Sequence, residues 1–151
     1  MDMEKELGHI FSDALTWILS TVTGFSPGTL SQDKDTDFDD IMGVMNLNGK
    51  KNGLLFVSAK EPAMRLLCSR MTGVPDDEVP AGEAEDLLCE LVNMTAGNAK
   101  LRLSNTDYAF ALTQPIVIKG DKMSLIVKNR THIISRTIGN KEIAVKLKVV
   151  Y

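Results

Sequence analysis

The sequence predicts an α+β protein of two layers, with helices packed on one face of an antiparallel sheet. Three observations lead to it. Apolar residues recur at helical spacing in three stretches, near residues 4–22, 61–71 and 81–100. Between and after them run short apolar segments broken by turn residues, in the manner of hairpin-connected strands. The last segment, Glu142 to Tyr151, alternates, with Ile143, Val145, Leu147 and Val149 on one face and Lys146 and Lys148 on the other. Period-two alternation with a charged outer face belongs to an antiparallel sheet covered on one side. The 151 residues are read as one domain, 1–151, long enough to bury about two-thirds of the unfolded surface.

Taken in order, residues 4–22 repeat Leu7, Ile10, Phe11, Ala14, Leu15, Ile18 and Leu19 at the 3/4 spacing of a buried helical stripe. Gly8 weakens the first turns and suggests a late start; Gly24, Pro27 and Gly28 end the helix. His9 has no neighbour suggesting a metal. Gln32 to Asp40 packs five Asp into nine residues without the glycine and glutamate of a calcium loop, and reads as a solvated loop, with a weak partner-docking surface as the alternative. Ile41 to Ser58 reads as a hairpin around the tip Gly49-Lys50-Lys51-Asn52. Glu61 to Met71 is a helix with Pro in its first turn, where the missing N–H does no harm, and with Met64, Leu66, Leu67, Cys68 and Met71 as core. After Gly97 the pattern turns to strands: Tyr108 to Lys119, Met123 to Lys128, His132 to Ile138 and the final alternating segment.

Composition excludes several classes of function. Apolar content of 44% and charged content of 25% are those of an ordinary soluble globular chain. The opening MDMEKEL is acidic where a secretory signal is basic, and no run approaches the ~18 apolar residues of a membrane span. A cytoplasmic protein with no membrane partner is expected. Cys68 and Cys89 each sit inside a helical apolar pattern and are expected as buried free thiols, not as a disulfide or metal site. Residues 1–93 hold 17 acidic and 7 basic side chains, a balance of −10; residues 94–151 hold 3 and 10, a balance of +7. The basic residues are scattered along strands without the interleaved aromatics that stack bases, so no nucleic-acid partner is expected.

The stretch Ala81 to Lys100, AGEAEDLLCELVNMTAGNAK, carries the chemistry. Read as a helix, it places Leu87, Leu88, Leu91, Val92, Met94 and Thr95 on one broad side. Asp86, Glu90 and Asn93 fall within roughly 60° of one another on the other. That polar stripe is locally unfavourable. Carboxylates at i and i+4 repel by about 0.2–0.5 kcal/mol, and Asn in a helix costs up to about 0.7 kcal/mol against Ala. A helix that needs only a wetted side does better with Glu–Lys pairs. A plain solvated face is the alternative reading.

Asp86-x3-Glu90-x2-Asn93 resembles the active-site signature of the CheC/CheX-type chemotaxis phosphatases, and the chain is most similar to the single-site CheX branch. The likeness continues through Gly97-Asn98-Ala99 and to Pro115, which follows Asn93 by 22 positions, about one fewer than the family's usual gap. Two-site members repeat Glu-x2-Asn in the first helix; this chain does not. The resemblance implies a CheX-like fold, sheets paired edge to edge in a homodimer, and hydrolysis of the aspartyl phosphate of a phosphorylated CheY-like receiver domain. It assigns the catalytic roles to Glu90 and Asn93, a supporting role to Asp86, and a motif-associated position to Pro115. Mg²⁺ is expected on the receiver, with no cofactor or metal bound by this chain.

The residues themselves agree by elimination. No nucleophile elbow, metal-ligand spacing or GxxxxGK[ST] phosphate loop is present. A non-catalytic module of the same fold, binding a phosphorylated receiver or a flagellar-switch component, is the alternative function.

Overall fold

Each apolar run of the sequence finds a partner for its buried face in one sheet and the three helices laid across it. The structure, a computed structural model, describes residues 2–25, 27, 31–32, 38–130, 132–140 and 142–151, with residues 31 and 32 described by their backbone. In chain order these form α1 (Met3–Thr23), β1 (Ser31–Gln32), β2 (Ile41–Gly49), β3 (Gly53–Ala59), α2 (Glu61–Thr72), a 3-10 turn (Asp76–Glu78), α3 (Glu83–Leu103), β4 (Phe110–Ala111), β5 (Ile116–Lys119), β6 (Ile133–Gly139) and β7 (Ala144–Val150). The sheet order is β1-β6-β7-β3-β2-β4, every pair antiparallel, with β5 beside β4 on the outer edge of β2.

Register follows burial. Ile41, Met45 and Leu47 of β2, Leu55, Val57 and Ala59 of β3, and Val145, Leu147 and Val149 of β7 all point to the helices and are sealed from solvent. A one-residue slip would turn each set to the other face, which is why this alignment holds. Gly43 belongs to the same row, and a Cβ there would stand 2.7 Å from Val92 Cγ2. Its missing side chain lets α3 lie close on β2. Gly8 also serves packing, contrary to the late helix start expected of it. α1 begins at Met3, capped by Asp2, and a Cβ on Gly8 would meet the Arg136 guanidinium at 2.6 Å.

Other expectations are corrected in detail. Met71 lies past the core in the last turn of α2 and is exposed, while Leu66 is half-buried. Cys68 is buried, but Cys89 is only partly so. Tyr108 to Lys119 yields two short strands, not one. Met123 to Lys128 forms no strand; Met123, Leu125 and Val127 instead form a strap over the sheet face away from the helices. There they pack with Phe38, Phe56 and Val150, and the Phe38 N–H donates to the Met123 carbonyl at 3.0 Å.

The strap changes the fate of the β7 lysines expected on a solvated face. Lys146 is half-buried beside Asp39, and Lys148 is only 2% exposed, its ammonium 4.7 Å from the centre of the Phe38 ring. Long aliphatic stems and an aromatic face make such burial tolerable. The acidic stretch 32–40 lies for the most part outside the described residues.

Candidate active site

α3 opens at Gly82 without a side-chain cap, and its ends are matched to the helix dipole. Glu83, Glu85 and Asp86 occupy the first turn, where the backbone presents partial positive charge. Lys100 and Arg102 occupy the last, where it presents partial negative charge. The roll of the helix is set by Leu88, Leu91, Val92, Ala96 and Ala99, each with no solvent exposure, and by Leu87, buried at its flank. With that side pinned to the sheet and to α1 and α2, the opposite stripe has to face out.

Asp86, Glu90 and Asn93 are all exposed on that stripe. No hydrogen bond or ion pair from the described residues engages their side chains. Pro115, in contrast, is buried where the chain enters β5 and adds nothing to the exposed surface.

One contact at the head of the helix escaped the sequence. Lys119, at the end of β5, donates to Glu85 Oε1 at 2.8 Å and reaches Glu61 Oε1 at 3.5 Å. The pairing ties the first turn of α3 to β5 and to the start of α2. The bond from Lys119 holds the Glu85 carboxyl below its ordinary value, and the same bond raises the Lys119 ammonium. The three groups are 34 and 58 residues apart in sequence, so no local pattern links them.

Cys89 lies between the motif carboxylates in sequence, and its chemistry is settled by its surroundings. Burial first, then the negative charges of Asp86 and Glu90, push its thiol above the ordinary cysteine value. Reactive cysteines require the opposite shift, toward the thiolate. A cysteine nucleophile is therefore unsupported here. Among the described residues no three His, Cys, Asp or Glu side chains gather as a metal site.

Three cavities lined by described residues include no motif residue. A cavity of about 160 Å³ beside the α3 N-terminus is lined by Glu61, Arg65, Val79, Pro80 and Glu85 among others, and by none of the three motif residues. Asp86, Glu90 and Asn93 stand on a convex helix surface. Such a surface gives a small molecule little to hold, whereas a protein partner can cover it. A carboxamide there can accept from a water through its oxygen and donate through its nitrogen, with no proton to lose. A neighbouring carboxylate can receive a cation.

Residues 41–138 match the family described as chemotaxis phosphatase CheX. Among curated proteins no sequence relative is found. A CheC-like superfamily protein from Shewanella sp. PV-4 is similar in structure, with a TM-score of 0.81 at 24% identity over 99% of this chain and 98% of that one. The chemotaxis protein CheX from Vibrio vulnificus gives 0.80 at 20% identity over 96% and 98%. CheX of Borrelia burgdorferi, in a crystal structure of its complex with CheY, BeF3 and Mg²⁺, gives 0.73 at 16% identity over 94% and 95%. These likenesses agree with the helix-on-antiparallel-sheet fold. No helix among the described residues is long and apolar enough to cross a membrane.

Proposed function

The chain belongs to the CheX family of chemotaxis phosphatases, and from that premise we propose that it hydrolyses the aspartyl phosphate of a CheY-like receiver domain. The observation that carries this reading is the exposed Glu90–Asn93 pair. Among the described residues neither side chain has a partner, and both stand on the exposed side of a helix whose opposite side is packed into the core.

Phosphoryl transfer asks mostly for positioning and electrostatic stabilisation, not for covalent chemistry from the protein. The receiver brings Mg²⁺ and a lysine beside its own phosphoaspartate, as the family resemblance implies. What this chain adds is a held water. The Asn93 side-chain oxygen accepts a hydrogen bond from that water and aims its lone pair in line with phosphorus. As the water oxygen bonds to phosphorus, the phosphorus–aspartyl oxygen bond breaks, freeing the aspartate carboxylate and inorganic phosphate. Glu90 pairs with the receiver's lysine and fixes the approach. Asp86, one turn earlier, adds negative charge on the same side in a supporting role.

The test is single-turnover decay of a phosphorylated receiver with and without saturating protein. Unchanged decay together with tight binding would establish the non-catalytic module in place of the phosphatase.

This chain is expected to need no metal of its own. Dialysis against a chelator should leave phosphate release intact once Mg²⁺ is returned to the receiver, and elemental analysis of the purified protein should find no stoichiometric zinc. Activity lost for good, or one zinc per chain, would contradict the proposed chemistry.

A homodimer is the assembly we infer, joined along the sheet edge at β5. That strand pairs with β2 alone among the described strands, and Ile116 and Ile118 on it are exposed. An open apolar edge is a template for a second chain. Light scattering at tens of micromolar should give the mass of two chains; the mass of one would refute this.

A further inference from the structure

We propose that Gly97 is a clearance position and Leu101 an apolar anchor in the surface that receives the receiver domain; the inference rests on the function proposed above. At about 100° per residue Gly97 falls between Asp86 and Glu90 in direction, and Leu101 lies only about 20° beyond Glu90. Both are therefore continuous with the motif stripe. At ~1.5 Å of rise per residue they stand roughly 6 and 12 Å beyond Asn93 along the axis.

Glycine is among the poorest residues for a helix interior, and α3 runs unbroken from Glu83 to Leu103 around this one. Nothing among the described residues asks for it. A Cβ at position 97 would meet no described atom within 4 Å, and the residue is not among the glycines with positive φ. Its small neighbours differ. Ala96 and Ala99 have no solvent exposure and are small because other elements press on them. The open space over Gly97 points outward, to something absent when the protein is alone.

Leu101 is the complementary case. It is a large apolar side chain, 78% exposed, toward the C-terminal end of the side of α3 that carries Asp86, Glu90 and Asn93. One exposed leucine is unremarkable by itself. Its place is not, because the chemistry fixes where the partner sits. A phosphoaspartate close enough to take a water from Asn93 brings its whole domain with it. A protein interface of about 800 Å² per partner extends roughly 16 Å from its centre, which takes in both positions. A backbone segment next to the phosphorylated side chain would then cross Gly97 at a distance that leaves no room for a methyl group, and Leu101 would fill an apolar hollow just beyond it.

The experiment titrates CheY-like receiver domains of the host organism, charged with beryllofluoride and Mg²⁺, against the parent protein, Gly97→Ala and Leu101→Ser. It also follows single-turnover decay of the phosphorylated receiver at saturation. Gly97→Ala should melt at or above the parent temperature yet bind at least about tenfold more weakly, with its rate at saturation within about twofold of the parent. Leu101→Ser should weaken binding at least about fivefold, through the apolar surface it no longer buries. Gly97→Ala binding as tightly as the parent would overturn the clearance role, even where the parent's phosphatase activity upholds the proposed function. A lost rate at saturation with unchanged affinity would also overturn it, by placing Gly97 in the water-holding step. Unchanged affinity of Leu101→Ser would remove the anchor. A parent that binds the charged receiver but releases no phosphate would sink the catalytic reading alone, leaving the affinities to decide the clearance. A parent that binds no charged receiver would end both.

Discussion

Asn93→Ala should lose most of the receiver dephosphorylation while keeping the receiver bound. The substitution leaves charge unchanged, touches no buried contact and replaces a weak helix former with the strongest. On the proposed mechanism it removes the hold on the water, and misplacing a reacting atom by an ångström costs on the order of a hundredfold in rate. Glu90→Ala should behave differently. On the same proposal it takes away a charged contact to the receiver's lysine, about 1.5–3 kcal/mol for a charge-assisted hydrogen bond, or on the order of ten- to a hundredfold in kcat/KM with docking weakened as well. Both variants should melt at or slightly above the parent, because each relieves a locally unfavourable choice. The readout is single-turnover decay at saturating protein. Parental acceleration by Asn93→Ala would mean that the carboxamide does not orient the water.

Leu91→Ala should act on stability instead. Leu91 has no solvent exposure and lies on the side of α3 that packs against the sheet and the other helices. Truncating such a leucine costs about 2–5 kcal/mol, from lost transfer free energy and from the cavity left behind. For a chain of this size that is a fall in Tm of roughly 4–20 °C. Phosphatase activity below the transition should stay near the parent's, and its loss on warming should follow unfolding. A variant that keeps the parent Tm would show that α3 is not held by this side.

Where the sequence could be read, the reason is local periodicity. The 3/4 spacing of Leu7 to Leu19 and of Leu87 to Val92 is imposed by the very packing that the structure displays, so the helices and the outward Asp86–Glu90–Asn93 stripe follow from counting residues. Met123, Leu125 and Val127 show where counting misleads. Alternation records that one side of an extended chain is buried, and a strap lying on a sheet satisfies that as well as a strand hydrogen-bonded within one. The β7 lysines depart from a solvated face for a related reason. Nothing near Lys148 in sequence announces that Phe38 will lie over it. Intrinsic propensity makes Gly8 a weak point of α1 and cannot register the Arg136 guanidinium arriving from 128 residues away. The Lys119–Glu85 tie is equally non-local, and only the assembled sheet reveals it.

The convex placement of the motif has a consequence for the cell's economy of phosphate. Acetyl phosphate, nucleotides and sugar phosphates are abundant, and a phosphatase with a complete, concave active site would have to exclude each of them by shape. Here, on the function proposed above, the enzyme carries only the water-holding part of the catalyst. The metal, the lysine and the phosphorylated side chain arrive together on another protein. A free metabolite colliding with Asn93 finds nothing to grip it and nothing to neutralise its leaving group. On that proposal, hydrolysis of the receiver's phosphate would leave the metabolic pool untouched.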